Sequence, residues 1–297
     1  MSKRIHVVIN PAAGQPEPIL HVLNDVFRPA GLDWDVSITH EYGDATRHAQ
    51  EAAEDRADAV VACGGDGTVM EVVNGLVGFD VPLGILPGGT GNVLSIELGI
   101  PQTAEEAAKL LISEDAVIRD IDVGQCGEKY FLLRVAVGYD AHRINMTSRE
   151  LRDRYGRFAY FIAGLQAIPE STEVHYRVTL DGEEMEMEGF TCLVENAGNM
   201  GIKGMSLASD VSISDGLLDV FVVRDFDFKS LTSVVGSIAD KPLAPESFRH
   251  WQAREIAIGT DPQQPVVVDG ESWGETPITL KVLHHAVSVI APGELPE

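Results

Sequence analysis

Two glycine-rich segments carry residue types suited to phosphate chemistry. The first is Gly64-Gly65-Asp66-Gly67-Thr68 and the second is Pro87-Gly88-Gly89-Thr90-Gly91-Asn92. Each follows a short apolar run, 59–63 or 83–86, and each leads into a helix-like pattern. Glycines let the main chain close on an anion, and free N–H groups at a helix start favour negative charge. One such loop alone is an ordinary turn between strand and helix. Two of them, each with a Thr behind its glycines, predict a cradle that holds a polyphosphate from both flanks. Neither loop contains Lys or Arg, and the GxxxxGK[ST] lysine of a Walker loop is missing. Charge neutralisation then falls to backbone dipoles and a metal, which points to Mg2+. Asp66 lies inside the first loop, where a carboxylate beside a phosphate is repelled. Its place makes sense if it meets a cation, takes a proton, or caps the following helix.

Strands and helices that alternate must position these loops. Strand-like runs at 4–10, 34–39, 59–63 and 83–86 alternate with helix-like stretches. Pro16 and Pro18 suit the first turn of a helix that runs to about Phe27. Asp44 is the expected N-cap of the next helix, and helices over 68–77 and 91–98 follow the two loops. Thr103-Ala104-Glu105-Glu106 reads as a capping box for a helix ending near Ser113. Such alternation implies a parallel sheet with helices on both faces and a ligand at the carboxyl ends of its strands. Beyond about residue 117 the texture changes to β-rich stretches at 117–124, 129–138, 173–181, 185–196, 217–224, 254–259, 265–269 and 277–290. These predict an antiparallel β-sandwich, interrupted by helical insertions near 146–167 and 229–239. The expected domains are 1–121, α/β and parallel, and 122–287, the sandwich, with the tail 288–297 returning to the first.

Composition narrows the function classes. The chain has 297 residues, with 46 acidic against 22 basic and a net charge of −24. That sign excludes a general nucleic-acid face, and the 44% hydrophobic content excludes a disordered chain. The acidity fits a high-salt environment, where scarce Lys is expected, or an ordinary acidic protein. Cys63, Cys126 and Cys192 show neither a disulfide framework nor zinc spacing. His142, His175, His284 and His285 also lack metal spacing and read as structural. No stretch spans a membrane and the N-terminus lacks signal-peptide features, so a cytoplasmic location is expected.

GGDGTVMEVVNGL at 64–76 followed by LPGGTGNVLS at 86–95 resembles the diacylglycerol kinase catalytic domain, and is similar to sphingosine and ceramide kinases. Four more segments carry the resemblance: Asn10-Pro11-Ala12-Ala13-Gly14, Thr39 with Gly43-Asp44-Ala45, Ser214 to Val220, and Asp269-Gly270-Glu271. It covers nearly the whole chain, and implies a nucleotide-binding α/β domain followed by a β-sandwich. It also implies a soluble lipid kinase that uses ATP and Mg2+. By this resemblance Gly64, Gly65, Asp66, Gly67, Thr68, Val69, Met70 and Glu71 fall where the family binds ATP, with Thr39, Gly88, Gly89, Thr90 and Asn92. Asn10, Pro11 and Gly14 flank the same phosphates. Asp215 matches a metal-organising aspartate, with main-chain oxygens of Ser212 and Leu217 beside it. Asp66 and Asp122 match residues that link the ion to the active site through water. Glu271 matches the base that takes the lipid hydroxyl proton, and Asp66 is its rival. Without the resemblance, Asp269-Gly270-Glu271 and Asp215-Gly216 also read as plain turns.

Asn92 is followed by Val93, where many bacterial members carry an aspartate. The GTGN form is closer to the sphingosine-kinase type, so diacylglycerol-like and sphingoid-like substrates both stay open. An NAD kinase shares the GGDGT loop, but PGGTGN and SDGxLDV argue against it. A non-catalytic nucleotide- or lipid-binding module is the remaining alternative, and Asp66, Asp215 and Glu271 speak against that. Arg143, Arg149, Arg152, Arg154 and Arg157, next to Tyr155, Phe158, Tyr160 and Phe161, form either a dock for an anionic membrane surface or a solvated helix face. The oligomeric state is left open by the sequence.

Overall fold

The apolar run near the N-terminus and three later ones form parallel strands. β1 (Arg4–Ile9) lies between β2 (Asp33–Ile38) and β3 (Ala59–Gly64), and β4 (Leu83–Pro87) pairs with β3. Val7, Val8, Val60, Val61 and Ala62 are fully buried, as expected of strands covered on both faces. Parallel neighbours need crossovers, and helices supply them: α1 (Ile19–Phe27), α2 (Asp44–Glu54) and α3 (Asp66–Leu76). α4 (Val93–Glu97) and α5 (Ala104–Leu111) follow β4. The structure, a computed structural model, describes residues 3–13, 18–138, 173–198, 211–224 and 248–293. Gly14, the basic run 143–157 and both expected helical insertions lie outside those residues.

Local signals set the helix starts, with one correction. Thr103 caps α5 as expected, its Oγ1 accepting the Glu106 amide at 3.3 Å. Asp44 does not cap α2. Gly43, in left-handed backbone, holds that position, and the Asp44 carboxylate turns back to accept the amides of His40 (2.8 Å) and Glu41 (3.1 Å). Arg47, 2.7 Å away, and those two amides hold the Asp44 carboxyl well below the usual carboxylate range.

The chain divides into two compact units, Met1–Ile121 with His285–Glu297, and Asp122–His284. Two strands, β5 (Ala116–Cys126) and the long last strand β16 (Ile278–Pro292), run through the division. In the first unit the end of β16 lies parallel to β4, with Val289 opposite Leu83, and Ser288 Oγ donates to Asp120 at 2.6 Å.

The second unit is antiparallel. Its strands are β6 (Lys129–Phe131), β7 (Arg134–Val137), β8 (Val174–Leu180), β9 (Glu183–Gly189), β10 (Thr191–Glu195), β11 (Leu218–Val223), β12 (Phe248–Ala253), β13 (Glu255–Asp261), β14 (Pro265–Val268) and β15 (Glu271–Glu275). One sheet runs β12-β11-β10-β7-β14-β15, and the other includes β9-β8-β13 with the start of β16. Alternate residues of both sheets meet in one core. Val135, Val137, Val194, Val220, Val222, Val266 and Val268 come from the first, and Tyr176, Val178, Ile256, Ile258 and Leu280 from the second. Each such side chain is worth about 1.5–3 kcal/mol on burial, so this face-to-face packing makes the sandwich. Two expected strands are each divided. The run 129–138 breaks at Leu132-Leu133, and 185–196 breaks at Phe190. β12 and β15 were not expected as separate strands. No helix among the described residues is long and apolar enough to cross a membrane.

Candidate active site

In the first unit the two glycine loops meet through their backbones. Gly64 and Pro87 are register partners at the ends of β3 and β4, and the Gly88 amide donates to the Gly64 carbonyl at 2.8 Å. A Cβ on Gly89 would stand 2.6 Å from the Gly65 Cα, closer than real structures allow. Glycine at 89 permits this approach, and a Cβ on Gly65 would be tight, 3.2 Å from the Gly89 Cα. Asn92 completes the second loop. It adopts left-handed backbone (φ 49°), which Asn tolerates better than most residues, and its Oδ1 accepts the Gly89 amide at 2.9 Å. The parallel sheet brings other expected residues to the same strand ends. The Asn10 amide donates to Cys63 at the end of β3, and the Thr39 amide donates to Ile9 at the end of β1.

Side chains clasp this cradle together. Asp66 is 8% exposed and stands in the first turn of α3, where Gly65 rather than Asp66 is the N-cap. Its Oδ1 accepts the Val93 amide at 2.7 Å, so it ties the first loop to the start of α4. A Cβ on Gly91 would meet Asp66 Oδ2 at 2.7 Å. Asn10 Nδ2 donates to Thr68 Oγ1 at 3.0 Å, while Asn10 Oδ1 accepts the Ala12 amide at 2.9 Å and shapes the exposed turn at Pro11. Glu71 accepts the Gly43 amide at 2.7 Å and so joins α3 to the entrance of α2. Val69 and Met70 are buried, which leaves only their main chain for a ligand. Thr90 is exposed, Gly67 is partly so, and the N-cap of α3, Gly65, brings no side chain to its first-turn amides. Uncapped first-turn amides and the helix dipole favour an anion.

In the second unit the SDG and DGE segments are each built around a buried aspartate. Asp122 is fully buried; its Oδ2 accepts the Gly216 amide at 2.6 Å and its own amide donates to the Ile213 carbonyl at 2.7 Å. His284 Nδ1 donates to Asp122 Oδ1 at 2.8 Å. Gly216 has φ +77°, and a Cβ there would stand 3.0 Å from the His284 ring. The loop thus presents Asp215 outward, exposed, with Oδ1 accepting the Leu217 amide at 3.0 Å. Ser212 and Leu217 are partly exposed on the same loop.

Asp269 and Gly270 form the two-residue turn between β14 and β15, with φ of 46° and 86°, the signature of a type I′ hairpin. The plain-turn reading of DGE is therefore right as geometry, and it leaves room for chemistry. The Asp269 carboxylate accepts three amides, from Leu132 (2.8 Å), Leu133 (3.0 Å) and Arg134 (2.8 Å). Burial pushes its carboxyl up, and those amides pull it back. Glu271 stands at the first position of β15, half-buried, and its carboxylate has no hydrogen-bond or ion-pair partner among the described residues.

Some residues that shape this unit carry no sequence signal. Asn196 is fully buried and its Nδ2 donates to the carbonyls of Asp122 and Leu132. Glu195, 2% exposed, faces Arg134 Nε at 3.2 Å, and neither of its oxygens has a hydrogen-bond partner among the described residues. Burial pushes its carboxyl up to about 7; Arg134 opposes this, and Asp269 and Asp219 add to it. Asp219 is also pushed up by burial, against the pull of His250 Nε2 at 2.6 Å.

Comparison with known proteins covers both units. Residues 4–126 match the diacylglycerol kinase catalytic domain, and residues 133–291 match the YegS C-terminal NAD kinase beta sandwich-like domain. The diacylglycerol kinase of Bacillus subtilis is 29% identical over 99% of this chain and 98% of its own length. A solved diacylglycerol kinase structure from Bacillus anthracis str. Sterne superposes with a TM-score of 0.77 at 27% identity, over 99% of this chain and 98% of that one. An uncharacterized protein of Synechocystis sp. is 30% identical over 99% of this chain and 71% of its own. With both units matched and full-length relatives at this level of identity, the chain belongs to the diacylglycerol kinase catalytic-domain family, whose members are lipid kinases.

Proposed function

We propose that the protein transfers the γ-phosphoryl group of ATP to a hydroxyl of a lipid, diacylglycerol-like or sphingoid-like. The observation that carries this reading is the backbone contact of the two glycine loops, with Gly65 against Gly89 and the Gly88 amide on Gly64. A cradle that a single Cβ would fill suits a ligand bound by main-chain amides. Asn10, Pro11, Thr39, Gly64 to Thr68, Gly88 to Thr90 and Asn92 surround or shape it, and Gly14 adjoins the same turn in sequence.

The SDG loop suits Mg2+. Asp215 with the main-chain oxygens of Ser212 and Leu217 is an all-oxygen donor set, which a hard cation prefers, and Asp122 fixes the loop that carries them. An ion held by these residues would supply positive charge for phosphoryl transfer, which neither glycine loop provides through a lysine or arginine. Glu271 is the base. Its carboxylate takes the proton of the lipid hydroxyl as that oxygen bonds to the γ-phosphorus. The bond to the bridging oxygen breaks, and ADP leaves. Asp66 holds the loops in place, since one of its oxygens is already engaged by Val93. The basic stretch containing Arg143, Arg149, Arg152, Arg154 and Arg157 would meet an anionic membrane surface transiently, from the cytoplasmic side.

Radiolabelled ATP with a panel of lipid alcohols, and NAD as a separate acceptor, tests this reading. Label in a lipid phosphate that depends on Mg2+ is expected. Label in NADP, or none in any acceptor, would reject it.

A further inference from the structure

Two loops assigned to the reaction above lie at the two ends of one hydrogen-bonded chain inside the second unit, and the middle link is Asn196. Its Nδ2 donates to the Asp122 carbonyl at 3.0 Å and to the Leu132 carbonyl at 2.8 Å. From Asp122 the chain continues to the Asp215 loop through two clasps, the Gly216 amide on Oδ2 and the Asp122 amide on the Ile213 carbonyl. From Leu132 it continues to the hairpin turn, because the amides of Leu132, Leu133 and Arg134 all donate to Asp269, two residues before Glu271. The main-chain amides of Asn196 and Ala197 also donate to the Leu133 carbonyl, at 2.8 and 3.3 Å, so β10 grips the 132–134 segment from its own end.

The residue type matters at this point. Two carbonyl acceptors require the NH2 side of the amide, which fixes its orientation. That leaves Asn196 Oδ1 buried with no hydrogen-bond partner among the described residues. An apolar residue of similar shape would avoid that penalty. What an asparagine contributes in its place is the pair of donated bonds, one toward each loop.

We infer that Asn196 is a positioning residue that ties the Asp215 loop to the Glu271 turn, so that an ion at the first sets the geometry of the second. This rests on the kinase reading above, with Mg2+ on the 212–217 loop and Glu271 as base. A row of contacts alone does not establish coupling, so the test must read the distant segment directly.

Amide hydrogen exchange on the full-length wild-type protein, with MgCl2 or with NaCl at equal ionic strength, provides that reading. The expected result is added protection with Mg2+ both at 211–217 and at 132–134. In Asn196→Ala and in the near-isosteric Asn196→Asp, which sets a carboxylate against two carbonyl oxygens, protection at 132–134 no longer responds while 211–217 still does. Val178→Ala, a core variant on the other sheet that makes none of these bonds, lowers the melting temperature but keeps both responses. In the lipid kinase assay Asn196→Asp lowers kcat by about 10- to 100-fold, the range for residues supporting a metal site, with KM for ATP unchanged. Mg2+ protection confined to 211–217 in the wild type overturns the inference and leaves the metal reading standing. No response at 211–217 overturns the metal reading, and the inference falls with it. Both outcomes are decided on the wild-type protein, whether or not the variants fold.

Discussion

The glycine cradle and the acidic loops both prepare a place for charge, with opposite materials. In the cradle, side chains hold side chains and loop amides together: Asp66 on Val93, Asn92 on Gly89, Asn10 on Thr68, Glu71 on Gly43. The proposed ligand would meet the main chain of the glycine loops, not these side chains. In the acidic loops, buried Asp122 and Asp269 hold the main chain, accepting the amides of Gly216 and of Leu132 to Arg134. What remains is the Glu271 carboxylate and, on exposed Asp215, the oxygen that does not accept the Leu217 amide. The difference teaches how to sort acids that look alike in a motif. An acid whose oxygens are already committed to neighbouring amides is a clasp, and one left half-exposed without a partner is available for chemistry.

The largest expected effect tests that sorting. Glu271→Gln lowers kcat by about 100- to 10,000-fold, as loss of a general base does, while melting temperature and ATP affinity stay at the wild-type level. Asp66→Asn changes all three, because it weakens a charge-assisted bond worth about 1.5–3 kcal/mol between the loops. Kinase assays, thermal melts and ATP calorimetry on the two variants separate the roles. The sorting breaks if Asp66→Asn abolishes turnover with stability and ATP affinity intact while Glu271→Gln stays active. Glu195 is a third kind of acid, buried with no amide to clasp. Its carboxyl is raised from 4.5 to about 7 in the fold, so the folded state holds the proton more tightly than the unfolded chain. Its contribution is therefore most favourable at acid pH and is lost as pH rises from about 4.5 through about 7, by roughly 3 kcal/mol. Urea unfolding of Glu195→Gln between pH 4.5 and 8 is expected to show a flatter dependence than wild type. An unchanged slope would mean that Glu195 is solvated in solution.

Much of the cradle was legible because its signals are local. Apolar runs ending in glycine fixed where β3 and β4 stop, and a parallel sheet sets such ends side by side. The acidic loops were legible as motifs and not as roles. Nothing near Asp269 in the sequence indicates that its carboxylate reaches back to Leu132, more than a hundred residues away. That one contact is also where the expected strand 129–138 breaks. Asn196 was invisible for the same reason, since its partners Asp122 and Leu132 come from distant segments. The misplaced cap at Asp44 is a local failure. Asp is favoured at both the cap and the first turn, and Gly43, free to adopt φ 91°, decided between them.

Smaller effects test the cradle itself. Gly89→Ala drives a Cβ to 2.6 Å from the Gly65 Cα, a backbone atom, and to 3.0 Å from Asn92 Oδ1, so the loops must part. ATP affinity is expected to fall by about 1–3 kcal/mol, the usual cost of overpacking, in calorimetric titration with Mg-ATP. Gly88→Ala meets the Gly64 Cα at 3.3 Å and should cost less; equal losses would show that the contact is not what sets affinity. Asn92 gives the smallest and most discriminating change, because its two contributions can be separated. Asn92→Ala loses both the left-handed tolerance and the bond from Gly89, and about 1–2 kcal/mol of stability is expected to go with them. Asn92→Gly keeps the backbone conformation and loses only the side-chain bonds, from Gly89 and to Gln102, so its melting temperature should lie between those of wild type and Asn92→Ala. If Asn92→Gly binds Mg-ATP as tightly as wild type, the second loop holds its shape through Gly65 and Gly89 alone, and side-chain clasps matter only at Asp66.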